Sequence, residues 1–284
     1  MSLNSVNTNM SAAIALQSLN MTSAALQATQ KQISTGYRVA DATDDGAAYA
    51  VAQRVRSDVG ALTSANQQLG NVQGLLSTTI SGLNNVSTEM NTARDVLVKL
   101  ADSTVQGTTR SQYIQQYQSD VANIKTFFED SKYNGKTLIG NIGGATGFGA
   151  VNVIRNEVGA TYHIGTMSGS AFMASINFTS TQLNGAGTVA GLIGTAASAT
   201  FMNKLNAVGT NLNTYGAATN YVNNQVTFNS NKIDALNNGL GALIDANLAQ
   251  ESATLQSLQI RQQLGTQALS IANQAPQSLL SLFK

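Results

Sequence analysis

The two ends of this chain are amphipathic helical patterns almost without charge, and that constrains the fold more than any other feature. From Asn247 to Lys284 the sequence reads NLAQESATLQSLQIRQQLGTQALSIANQAPQSLLSLFK. Leu248, Leu255, Leu258, Leu269 and Ala272 fall on one ladder of three- and four-residue steps, and Ile260, Leu264 and Ile271 fall on a second beside it. Together they form a broad apolar stripe on an α-helix. The polar positions are Gln, Ser, Asn and Thr, with no charge between Arg261 and Lys284. At the other end Ala12, Leu16, Leu19, Leu26 and Ile33 follow the same stepping, and the first charged residue is Lys31. A solvated helix carries Lys and Glu on its outer face, so both faces of these helices are expected against protein: each other, and further copies of the chain. The expected assembly surface comprises Leu16, Leu19, Leu26 and Ile33, then Leu255, Leu258, Ile260, Leu264, Leu269, Ile271, Leu279, Leu280, Leu282 and Phe283. Burying the apolar side chains of one such helix does not offset the entropy of ordering it. Folding of the ends is therefore expected to be coupled to polymerisation.

Composition agrees. Charged residues make up 10% of the 284 residues, against about 25% in a typical globular chain. The net charge of +1 gives nucleic acid nothing to bind. There are no cysteines, so disulfides, thiolate metal sites and Cys nucleophiles are excluded. The N-terminus lacks the basic and apolar regions of a signal peptide, and no window approaches the roughly 18 apolar residues of a membrane span.

Between the ends, the pattern predicts a helix from about Val6 to Ile33, stopped at Gly36. A short connection, Tyr37 to Asp41, leads to a helix capped by Thr43 or Asp44 and running to about Ala101. Its stripe includes Val51, Leu62, Leu69, Leu76, Leu83, Met90 and Leu97. Gly60, Gly70, Gly74 and Gly82 lie within it, each costing ~1 kcal/mol against Ala. They mark either close helix approach or irregularity. A third helix, Arg110 to Asp130, turns Tyr113, Ile114, Tyr117, Val121, Ile124 and Phe128 inward, and Asn134-Gly135 signals a hairpin or loop. Gly140 to Gly194 is Gly-rich, with strand-like runs at Val151–Ile154, Tyr162–Ile164 and Phe172–Phe178. Helical pattern returns near Ala196 and continues into the C-terminal helix. The expected fold is mainly α: a long helical hairpin or coiled-coil bundle formed by both termini, with a small β-rich insertion at its tip. The division is 1–36 with 246–284 as an inner terminal coiled coil, 37–139 with 196–245 as a helical rod, and 140–195 as the insertion.

No constellation for catalysis, cofactor or metal emerges. Asp41, Thr43, Asp45 and Gly46 mimic the start of an EF-hand loop, but Ala52 stands where the bidentate Glu belongs, so helix capping is the better account. Gly135-Lys136-Thr137 lacks the earlier glycine of a phosphate-binding loop. The run from Gly143 to Gly149 lacks GxGxxG spacing. His163, the only histidine, sits in an expected strand without a carboxylate pattern.

Several stretches resemble bacterial flagellin. LNSVNTN (Leu3–Asn9) is similar to the start of that family, and QISTGYRVADATDDGAAYAVAQR (Gln32–Arg54) to its most characteristic N-terminal motif. YNGKTLI (Tyr133–Ile139) resembles the turn that closes its N-terminal block, and QQLGTQALSIANQAPQSLLSLF (Gln262–Phe283) its C-terminal signature. The likeness spans roughly the first 140 and last 80 residues. It implies a non-enzymatic, self-assembling subunit of the extracellular flagellar filament, exported unfolded and uncleaved through the flagellum's own type III channel. Implied partners are further copies, other flagellins, hook-associated junction and cap proteins and an export chaperone, without nucleic acid, membrane insertion or cofactor. A hook–filament junction protein is the alternative reading. In many flagellins the outer face of the long helix is read by an innate immune receptor, and the motif alignment places Arg94, Asp95 and Val96 there. Thr92 stands where receptor-binding members carry Arg.

Overall fold

A computed structural model of the chain describes residues 9–142, 147–194 and 200–282, with the side chains of 275–282 left aside. It divides into two compact units: Met1–Asp58 with Asp234–Lys284, and Val59–Ile233. Leu3, Val6, Gly143, Ala196, Phe283 and Lys284, which the sequence reading used, lie outside the described residues.

The first unit opens with α1 (Met10–Thr35). Asn9 caps its start, and Gly36 ends it at φ 74°, a left-handed conformation that glycine adopts without a Cβ penalty. The next helix, α2 (Gly46–Leu100), is continuous for 55 residues. Its cap is neither Thr43 nor Asp44. The Asp45 carboxylate accepts the Ala47 and Ala48 N–H groups, each at 3.0 Å, whereas Asp44 turns back to the Ala40 N–H at 2.9 Å. The helical run expected to continue unbroken into the C-terminal helix is interrupted at 245–247, between α7 (Thr200–Ile244) and α8 (Leu248–Leu282).

In the second unit, α3 (Gly107–Asp130) buries Ile114, Tyr117, Val121, Ile124 and Phe128 in one core with Leu69, Leu76, Leu83, Met90 and Leu97 of α2. The α2 glycines resolve into two kinds. At Gly74 an added Cβ would come within 2.5 Å of the Tyr133 ring, and at Gly82 it would collide with Ser131, whereas Gly60 and Gly70 face open space. Close approach of the 131–133 segment, not irregularity, accounts for the first two. Asn134 (φ 48°) and Gly135 (φ 75°) make the tight turn between the bridged residues Tyr133 and Lys136.

The segment before α7 contains one antiparallel pair, β1 (Val151–Ile154) and β2 (Thr161–Ile164), with Val151 opposite Ile164. The run expected as a third strand, Phe172–Phe178, is instead mostly α4 (Gly169–Ile176), capped by Ser168. Two further short helices follow, α5 (Ser180–Asn184) and α6 (Ala186–Ile193). Helix wins at 169–176 because Phe172 and Ile176, four residues apart, both reach the core. Phe172 meets Phe128 at a ring separation of 5.1 Å, and the Tyr117 hydroxyl donates to the Ile176 carbonyl at 2.6 Å. Burial holds the Tyr117 hydroxyl far above its ordinary pKa, and Tyr215 is pushed up to about 12 for the same reason.

Candidate assembly surface

Helices α1 and α8 lie antiparallel: Asn9 reaches Ala272, Leu19 lies over Gly265, and Gly36 meets Ala246. The residues that lose solvent repeat in heptads. On α1 they include Ala12, Ala15, Leu19, Thr22, Leu26, Thr29 and Ile33, and on α8 Glu251, Leu255, Leu258, Gln262, Gly265, Leu269 and Ala272. Steps of three and four, sustained on both helices, are the seam of a coiled coil. It is a weak seam. Only Thr29 and Leu258 are buried in it, and small or polar residues fill about half its positions. At Gly265 an added Cβ would stand 3.3 Å from the Leu19 side chain, so the helices approach closely there.

The larger apolar side chains lie elsewhere. Ile14, Met21, Leu264 and Ile271 are all at least 60% exposed, and Met10 and Ile260 are 67% and 57% exposed. Relative to the seam, Ile14, Met21, Leu264 and Ile271 sit at heptad position c and Met10 and Ile260 at f, the positions turned furthest from the partner helix. In a solvated coiled coil those positions carry charge. The two ladders of the C-terminal sequence therefore have separate fates. Leu255, Leu258, Leu269 and Ala272 face α1, while Ile260, Leu264 and Ile271 face away from it. On α1, Leu19, Leu26 and Ile33 join the seam, but Leu16 is 49% exposed because Ala15 takes the seam position. Leu248 is also 49% exposed. Leu279, Leu280 and Leu282 lie on the last turns of α8, where only the backbone course is described.

The joint at the base of this pair is built from both chain segments. Arg38 and Val39 donate backbone N–H groups to the Ile244 carbonyl, and Ala246 donates to Gly36. The Arg38 guanidinium reaches the Leu243 carbonyl at 2.5 Å. Val39, Ala48, Ala52 and Ile244 form a small core beneath these bonds. On the surface the Lys31 ammonium is held by Asp41 at 2.6 Å and Asp44 at 2.9 Å. Its hydrogen bonds lower both carboxylate pKa values, and theirs raise that of Lys31. The acidic loop that imitates a calcium site thus spends two of its carboxylates on a lysine and Asp45 on the helix cap. Sequence reasoning missed this role for Lys31, although its ten-residue spacing from Asp41 across a helix stop was visible.

Comparison with known proteins decides the family. The bacterial flagellin N-terminal helical region matches residues 6–143, and its C-terminal helical region matches residues 195–283. The flagellin FljM of Caulobacter vibrioides is 32% identical over 288 residues, covering all of both chains. The chain belongs to the bacterial flagellin family. A flagellin of Brucella melitensis is 33% identical over 294 residues, with 99% of each chain covered. Among solved structures, the flagellin of Bacillus cereus aligns over 57% of this chain and 88% of its own, at 14% identity and a TM-score of 0.48.

Within this flagellin, Thr92, Arg94 and Asp95 are exposed on α2, and Thr92 bonds only the carbonyl one turn back, that of Thr88, at 3.4 Å. Val96 does not share that face. It is 1% exposed and belongs to the core of the second unit, because it falls on the same helical side as Ala93 and Leu100. His163 is exposed on β2, 2.9 Å from the Asn152 side chain. Among the described residues no group of three or more His, Asp or Glu gathers as a metal site, and no helix is long and apolar enough to cross a membrane.

Proposed function

We propose that this flagellin is a structural, non-enzymatic subunit of the extracellular flagellar filament, and that the outer stripe of its α1–α8 pair is the contact through which copies polymerise. One observation carries the reading: large apolar residues occupy the heptad positions furthest from the seam, on both helices, in a sequence almost free of charge. A weak internal seam and an uncovered apolar exterior mean that neighbouring subunits supply most of the burial that orders the pair. Residues 1–36 and 246–284 are the assembling segment, and contacts that do not close into a ring extend it into a helical polymer. The same lack of charge suits passage of the unfolded, uncleaved chain through the flagellar type III channel. An export chaperone would cover the stripe before assembly, and other flagellins, hook-associated junction proteins and the cap would meet it afterwards. Electron microscopy of purified protein after seeding tests this. Long tubular filaments are expected; soluble monomer under conditions that extend seeds of a related flagellin would overturn it.

A further inference from the structure

The α1–α8 seam is poorly specified by shape. Ala12, Ala15, Thr22 and Thr29 on one side and Gln262, Gly265 and Ala272 on the other present few large knobs. A slip of one helical turn, about 5.4 Å, would move Leu19 off Gly265, the close fit of large to small in this seam. Hydrogen bonds pin the two ends. At the joint, Ala246 donates to Gly36 at 2.9 Å. At the far end Asn9 uses both atoms of its amide. Its Oδ1 accepts the Ala12 N–H at 3.1 Å and caps α1, while its Nδ2 donates to the Ala272 carbonyl at 2.7 Å.

The Ala272 carbonyl is open for a reason written in the sequence. In an α-helix it would accept the N–H four residues on, and residue 276 is proline, which has none. Helix α8 runs through Pro276 to Leu282, so this acceptor lacks its helical donor. We infer that Asn9 is the register-setting residue of the α1–α8 pair: its oxygen caps α1 while its nitrogen satisfies the carbonyl that Pro276 leaves open in α8. A slipped pair separates Asn9 from Ala272 and offsets the outer stripes of the two helices by a turn. Asn9 closes the N-terminal stretch LNSVNTN and Pro276 lies in the C-terminal stretch NQAPQSLL, so the latch couples two segments that are 263 residues apart at the hydrogen bond itself.

The inference rests on the reading of this pair as the assembling element, and its test separates the two. Full-length wild type, Asn9→Ser, Pro276→Ala and the double variant are grown from wild-type seeds, and the critical concentration of each is measured. Serine keeps the helix cap but cannot reach Ala272; alanine at 276 restores the helical N–H. Asn9→Ser should raise the critical concentration about tenfold with Pro276 present, and less than about twofold with alanine there. Pro276→Ala alone satisfies the Ala272 carbonyl in every register, so it removes the penalty on a slip and should itself raise the critical concentration, with the double variant no worse than either single one. A merely structural cap predicts the same loss in both backgrounds, and that result, or wild-type growth of Asn9→Ser, overturns the latch. Failure of wild type to extend seeds overturns the assembly reading instead. Hydrogen exchange of the α1 and α8 amides in the same four proteins then decides the latch, through the same non-additive pattern of loss.

Discussion

Leu264→Glu separates what the outer stripe does in the free chain from what it does in the polymer. In the chain the Leu264 side chain is 61% exposed. Glu has nearly the helix propensity of Leu, so the monomer should change by less than about 0.5 kcal/mol. On the proposed assembly contact, a neighbouring copy would cover the remaining surface in the polymer. Full burial of Leu is worth ~1.5–3 kcal/mol, so covering about three-fifths of it contributes ~1–2 kcal/mol. Taking an unpaired carboxylate out of water adds several kcal/mol more. A total of at least about 4 kcal/mol corresponds to roughly a thousandfold rise in critical concentration. The assays are urea unfolding of the monomer by circular dichroism and sedimentation of seeded polymer across concentration. Growth of Leu264→Glu at the wild-type critical concentration would refute the reasoning. Strong hydrogen-exchange protection of α8 in the wild-type monomer would refute the coupling of its order to assembly.

Arg110 is 7% exposed and donates to the carbonyls of Leu100 at 2.7 Å, Leu183 at 2.8 Å and Val105 at 3.0 Å. Arg110→Met strands these acceptors at ~1–3 kcal/mol for each buried one, so urea unfolding should show a loss of about 3–5 kcal/mol. Asp120 is buried with one carboxylate oxygen unpartnered, and burial first, then the charge of Glu89, raises its pKa. A raised carboxylate costs stability as pH climbs above the unfolded value near 3.9. Asp120→Asn should therefore be more stable than wild type at neutral pH and converge with it near pH 4, as read by unfolding across pH. Thr92 lacks the bidentate donors of an arginine, so reporter cells bearing the flagellin-sensing receptor should respond weakly to wild type and more strongly to Thr92→Arg; equal potency to a strongly recognised flagellin would contradict this.

Periodicity made the helices legible because a stripe over many turns leaves little choice of structure. Gly36 as a stop and the Val151–Ile154 and Tyr162–Ile164 strands were equally visible. Phe172–Phe178 was misread because a short apolar run fits strand and helix alike, and the core position of Phe128 decided between them. Leu16 and Val96 show the limit of a stripe read alone. Both fit an apolar or outer pattern within one residue, which on a helix is a rotation of about 100°, and only the partner's position settles the side. The Lys31 clasp, the Asp45 cap and the Asn9–Ala272 bond were not legible as pairings. Each joins residues whose proximity is created by a turn or by the antiparallel course of the chain. Pro276 was the one visible hint, since an interior helical proline frees a known carbonyl.

Asn229 is the second unit's candidate for the same register role, and its substitution weighs that role against stability. Asn229 of α7 is fully buried and donates to the Asn66 side chain at 2.9 Å and to the Arg155 carbonyl at 3.0 Å, while accepting from Gln225 at 2.9 Å. One turn or two away, Gln73 donates to Asn223 at 2.7 Å. These bonds form in a single alignment of α2 and α7, and a slip leaves the buried Asn229 amide unpaired at ~1–3 kcal/mol. Asn229→Leu removes the key while sparing most of its partners. The Arg155 carbonyl keeps the Gln225 donor at 3.1 Å, and Asn66 is exposed enough for water to replace Asn229. The gain of apolar burial then roughly balances the lost bonds, so the unfolding free energy should stay within about 1 kcal/mol of wild type. What should change is uniqueness: doubled or broadened amide resonances along α2 and α7, and polymers that grow with irregular subunit packing. A loss above about 2 kcal/mol with a single sharp set of resonances would mean that the amide stabilises the helix pair without selecting its register.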